Sequence, residues 1–133
     1  MSDWFVAPDT VRLELEEGQW LRVKRRLNAG ETRGVFRRLY LQAEDGTLKL
    51  NPDTVGTTLV VAYLVDWSLT DARGEPVVIA QQPAAVLEAA LDALDPDKFA
   101  LIKAAVDAHD ERERLARDEE KKTRSTATTL VAI

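Results

Sequence analysis

The hydrophobic pattern changes period along the chain. Val11, Leu13 and Leu15 alternate with Arg12 and Glu14, and Leu21, Val23 and Leu27 follow among Arg22, Lys24 and Arg26. A period of two is that of a half-buried strand. With Glu16-Glu17-Gly18-Gln19 between them, the two runs predict a β-hairpin. A lone hairpin is marginal in water, so this one must pack on helices. After a break at Asn28-Ala29-Gly30-Glu31 the period lengthens. Val35, Phe36, Leu39 and Tyr40 share one helical face, which predicts a helix from a Thr32 cap to about Gln42, closed by Glu44-Asp45-Gly46.

Leu59 to Val65 fits two readings. Helical spacing of Val55, Leu59, Ala62 and Tyr63 behind Asn51-Pro52-Asp53 favours a buried helix over residues 53–66. Its Val and Thr content fits a buried strand from Thr57 to Trp67. The run delivers the chain to Trp67, and Thr70-Asp71-Ala72-Arg73-Gly74 follows as a polar turn. Pro76 and Val77 to Ile79 then lead back into the protein. Trp67 and Trp20 read as core anchors. Pro83 opens a helix with the stripe Leu87, Leu91 and Leu94. Asp95-Pro96 opens another with Phe99, Ile102, Val106 and His109 on one face. Beyond His109 that helix turns charged, with the acid-first pairs Asp110–Arg114, Glu113–Arg117 and Asp118–Lys122. Thr123 to Thr129 is small and polar, and Leu130, Val131 and Ile133 form an apolar hook.

These elements predict a helix-rich α+β fold: an N-terminal hairpin, about four helices and a flexible C-terminal tail. Residues 1–9 read as an arm, 10–119 as one globular domain and 120–133 as the tail, in keeping with a chain of 133 residues. There is no Cys, which excludes disulfides, thiolate catalysis and Cys-based zinc sites. The longest apolar run has seven residues, too short to span a bilayer, so no membrane partner is expected. Met1-Ser2-Asp3-Trp4-Phe5 has neither the basic region nor the long apolar region of a secretory signal.

Charge separates along the chain. The net charge is −5, yet residues 22–38 hold seven basic side chains against one acid, Glu31. A dipolar chain of this kind can fold its halves together or associate head to tail with copies of itself. Arg33, Arg37 and Arg38 are the candidate contact residues for an acidic protein partner. Trp67 and the hook Leu130, Val131 and Ile133 complete the candidate partner-binding set. Nucleic acid ranks below protein as the partner of the basic segment, because the chain as a whole is acidic and its aromatics fall on apolar stripes.

Catalytic parts are missing from the sequence. His109 is the single His and reads as a boundary residue between apolar and charged helix faces, not as a metal ligand. Ser68 has no nucleophile-elbow context, and there is no Gly-rich phosphate loop. The expectation is a non-enzymatic protein with no cofactor and no metal.

Gln19-Trp20-Leu21-Arg22-Val23-Lys24-Arg25-Arg26-Leu27-Asn28-Ala29-Gly30-Glu31 resembles the opening of tail assembly chaperones of long-tailed, siphovirus-type bacteriophages. Tyr63-Leu64-Val65-Asp66-Trp67 followed by Asp71, Gly74 and Pro76 is similar too, as is the acidic close Glu119-Glu120-Lys121-Lys122. The resemblance covers residues 18–122 and carries no catalytic signature. It implies a chaperone, made in the cytoplasm of the infected bacterial host, that binds the tape measure protein and helps recruit tail tube subunits. Many such proteins are also made in a longer, frameshifted form. The alternatives are a head–tail or tail component retained in the virion and, ranked lower, a nucleic-acid-binding protein.

Overall fold

A computed structural model of the chain describes residues 4–52 and 54–132, with side chains as far as residue 123. The fold is helix-rich α+β, with an N-terminal hairpin and four α-helices among the described residues. Strand β1 is Thr10–Glu14 and β2 is Trp20–Lys24. Helix α1 (Ala29–Leu39) is followed by the short strands β3 (Tyr40–Gln42) and β4 (Leu48–Leu50). Helix α2 (Thr58–Tyr63) runs directly into β5 (Leu64–Trp67). Helices α3 (Ala84–Asp92) and α4 (Pro96–Ala132) complete the order.

The hairpin forms as its alternation demands. Leu13 pairs with Leu21 and Val11 with Val23, which places these four on the core face. The outer face sets Arg12 opposite Arg22, a like-charge pair that costs stability by itself. Glu14 offsets it, accepting from Arg12 Nε at 2.6 Å, and both guanidinium groups lie over the Trp20 ring at 5.0 and 5.8 Å. Trp20 is therefore not the core anchor its hydrophobicity suggests. It has the parity of Arg22 and stays half-buried on the outer face. Strand β5 adds antiparallel to the other edge of β2, with Leu21 opposite Trp67 and Val23 opposite Leu64 across a bulge. Ser68 prolongs this ladder: its N–H donates to Trp20 O at 3.1 Å and its Oγ accepts from Trp20 N–H at 2.8 Å.

The predicted helix over 53–66 begins at a residue outside the described ones, and residues 54–66 are neither one helix nor one strand. Thr58, Val60 and Tyr63 turn inward from α2, and at Leu64 the backbone switches to φ −70°, ψ 125°. The open edge of β2 then captures the next four residues. Helix α1 begins earlier than its pattern predicts and ends sooner. Asn28, not Thr32, is the cap: its side chain accepts from Glu31 N–H at 2.8 Å and its own N–H donates to the Glu31 carboxylate at 3.0 Å. The helix stops at Leu39 because Tyr40–Gln42 pairs with Leu48–Leu50, so Asp45 and Gly46 (φ 86°) belong to a hairpin turn and not to a helix end. Thr54 donates its hydroxyl to Arg38 O and accepts from Thr58 through its own carbonyl, joining the end of α1 to the start of α2.

Helix α4 starts on Asp95, whose Oδ2 accepts from Asp97 and Lys98 N–H at 3.0 and 3.2 Å, with Pro96 at the first helical position. Ile102 and Val106 enter the core beside Leu87 and Leu91 of α3, Tyr63, Trp67 and the inner face of the hairpin. His109 is buried, not a boundary residue: its Nε2 lies 3.0 Å from each of the Lys24 and Arg25 carbonyls, and its ring meets Tyr63 edge-on at 5.4 Å. Asp110 is buried beside it and accepts from Tyr63 OH at 2.7 Å. The backbone of α4 is helical to Ala132, while the side chains of the predicted tail and hook, Leu130, Val131 and Ile133 included, lie outside the described residues.

Trp67 is 6% exposed and its Nε1–H donates to Val77 O at 2.8 Å, while the Asp71–Gly74 turn stands at the surface. Trp67→Ala should cost about 3–5 kcal/mol in urea denaturation, as aromatic-to-Ala changes in cores do. A loss below about 1 kcal/mol contradicts the core role. Tyr63→Phe should cost about 1.5–3 kcal/mol at neutral pH, the range for a hydrogen bond to a charged group. Burial and the Asp110 carboxylate push the Tyr63 phenol well above its ordinary value, so the folded chain keeps a proton that the unfolded chain releases. This contribution is complete below the unfolded pKa and falls by about 1.4 kcal/mol per pH unit above about pH 10. The stability gap between the wild type and Tyr63→Phe should therefore narrow from pH 10 upward. A gap that stays constant or widens contradicts the assignment.

Candidate functional site

A cleft of about 630 Å³ lies at one end of the hairpin. Four segments build it. The β1–β2 turn supplies Leu15, Glu16 and Glu17, and the ribbon after Trp67 supplies Leu69, Asp71 and Val77. The end of α3 supplies Ala90, Ala93 and Leu94, and the first turns of α4 supply Lys98, Leu101 and Ile102. Each segment is held by local chemistry. Asp71 Oδ1 accepts from Arg73 and Glu75 N–H at 2.8 and 3.0 Å, Gly74 takes φ 81°, and Val77 N–H returns to Leu69 O at 3.1 Å. The Asp95 cap fixes where α4 begins, and with it the positions of Lys98 and Leu101.

The floor is apolar and the rim is acidic. Leu15, Leu69, Leu94 and Leu101 are half-buried around Trp67, and Glu16, Glu17, Asp71 and Asp95 are exposed at the edge. Lys98 is the one cation of the lining, and Glu17 lies 3.6 Å from it. Glu17 also holds φ 61°, a left-handed conformation that costs a non-glycine residue energy, next to Gly18 at φ 75°. The strained residue is at the cleft mouth, where it presents its carboxylate to Lys98.

The structure scatters the basic segment. Arg33 and Arg37 are exposed on α1. Arg38 is half-buried and ion-paired with Glu88 of α3, so it serves the fold. Lys24 pairs with Glu31; burial opposes the ionisation of this carboxyl, but Asn28 N–H and Lys24 hold its pKa below the ordinary value. Arg26 reaches Glu113 at 3.8 Å and Glu120 at 3.6 Å. Of the expected contact residues with described side chains, only Trp67 lies in the cleft.

The cleft's other residues carry weak signals. Leu94 reads as helix stripe and Leu15 as strand, and only the run Glu16-Glu17 marks the acidic rim. The core titratable groups Tyr63, His109 and Asp110 are committed to bonds that join elements, away from the cleft. Among the described residues no three His, Asp or Glu side chains converge as metal ligands, and no helix is long and apolar enough to cross a membrane. Compared with family models, with curated proteins and with solved structures, the chain has no match.

Proposed function

We propose that the chain is a non-enzymatic binding protein whose acid-rimmed cleft holds an apolar helical segment of its partner. The role is that of a siphovirus-type tail assembly chaperone in the cytoplasm of the infected bacterium. The tape measure protein is the client, and tail tube subunits are recruited to the complex. The observation that carries this reading is the cleft: about 630 Å³ open to solvent, floored by Leu side chains around Trp67 and edged by Glu16, Glu17, Asp71 and Asp95. Such a floor suits residues spaced i, i+3, i+4 and i+7 on an amphipathic helix, and the rim suits basic residues that flank them. The resemblance at Gln19–Glu31 and Tyr63–Trp67 supports the choice of client.

Ala93 is exposed at the cleft edge, so its replacement leaves the core intact. Co-expression with the tape measure protein of the same phage should keep that protein in the soluble fraction. Ala93→Arg, which adds bulk and a positive charge at the cleft edge, should lower capture by about tenfold or more, equivalent to about 1.4 kcal/mol. Ala93→Ser should not change it. Capture that is indifferent to Ala93→Arg rules out the cleft. Recovery of the protein in purified virions replaces the chaperone reading with that of a structural tail component.

A further inference from the structure

A second uncovered surface lies away from the cleft. Phe36 and Tyr40 pack ring against ring at 4.8 Å. Tyr40 is directly opposite Leu50 in the β3–β4 ribbon, and Gln42 opposite Leu48, so Tyr40, Leu48 and Leu50 share one face. Phe36, Leu48 and Leu50 are 53%, 54% and 57% exposed. A ribbon of three residue pairs is marginal by itself, yet this one turns its leucines to solvent. A contiguous apolar strip of this kind marks an interaction site.

Its charged border selects the partner. Arg33 and Arg37 are four residues apart and share one side of α1, which adjoins the side that carries Phe36. Both are exposed, and among the described side chains neither has an acid within ion-pair distance, whereas Lys24, Arg26 and Arg38 are all paired. We infer that the strip Phe36, Tyr40, Leu48 and Leu50, with Arg33 and Arg37 at its edge, docks an acidic amphipathic helix of a protein partner. The apolar face of that helix covers the leucines and Phe36, and its carboxylates meet the two guanidinium groups. A nucleic-acid backbone fits less well. The surface is mainly apolar, with Arg33 and Arg37 beside Phe36 and Lys49 on the other face of the ribbon, whereas a phosphate backbone calls for a run of cations. This inference does not rest on the cleft.

The test measures fluorescence anisotropy with a labelled amphipathic helical peptide of Leu and Glu, against its counterpart with Lys in place of Glu. The Leu/Glu peptide should bind at low ionic strength and the Lys form should not bind at this strip. Arg33→Glu/Arg37→Glu and, separately, Phe36→Ala should each weaken binding about tenfold with the far-UV circular dichroism unchanged. Ala93→Arg should leave this binding as it is. The inference is overturned if the Leu/Glu peptide does not bind, or if its binding survives both strip variants. It is also overturned if oligo(dT) displaces the peptide, or if sedimentation shows a self-associated species that the strip variants dissolve. In those two cases nucleic acid or a second copy of this chain is the occupant.

Discussion

Helix α4 is held in register by one cluster of polar bonds, and the rest of the molecule depends on it. Ile102 and Val106 provide apolar burial, which has no direction of its own. Direction comes from the next turn. His109 Nε2 sits 3.0 Å from two carbonyls where the chain leaves β2, and Asp110 takes the Tyr63 hydroxyl at 2.7 Å. Buried polar groups without partners are costly, so a slip of α4 by one residue would expose all of them to that penalty at once. Tyr63 stands at the changeover from α2 to β5, and the cluster therefore ties hairpin, α2, β5 and α4 together.

The cleft follows from the same register. With α4 fixed at His109, its first turns lie across from the β1–β2 turn and the ribbon after Trp67. Small residues line the cleft, Ala72 on the ribbon, Ala90 on α3 and Ala93 just after it, so the space over Trp67 is not filled from within. Larger side chains at those positions would have closed it. The acids at its edge cannot fill it either, because their carboxylates stay with solvent or with Lys98. The same chain that packs Leu21, Val23 and Tyr63 to complete burial leaves its Leu15, Leu69 and Leu94 half-covered.

Those parts of the fold that follow one period were legible in the sequence. The hairpin, the stripes of α3 and α4, the Asp95-Pro96 start and the turn at Asp71–Gly74 all appear where their patterns place them. The failures have a common physical cause, which is that pairing partners distant in sequence decide the outcome. Leu59 to Trp67 satisfies both periods, and the free edge of β2 divides it between helix and strand. Tyr40–Gln42 continues the stripe of α1, yet pairs with Leu48–Leu50. Trp20 is apolar, yet its strand parity turns it to the outer face, where Arg12 and Arg22 cover it. His109 continues the spacing of Phe99, Ile102 and Val106, and taking that spacing as the stronger signal would have buried it. The cleft was least legible, since four separate segments line it and only Trp67 stood out beforehand.

Charge separation along the chain is resolved in part within the fold. Lys24 with Glu31, Arg26 with Glu113 and Glu120, and Arg38 with Glu88 bring the basic segment against acids from α1, α4 and α3. Partly exposed pairs of this sort add little stability each, about 0–1 kcal/mol. Their effect is to determine which charges remain for other molecules. After pairing, the cationic surface on α1 reduces to Arg33 and Arg37 beside Phe36, and the acids around Trp67 form a separate rim on another part of the molecule. Each uncovered apolar surface thus carries its own sign of charge. A charged group favoured at the border of one is disfavoured at the border of the other.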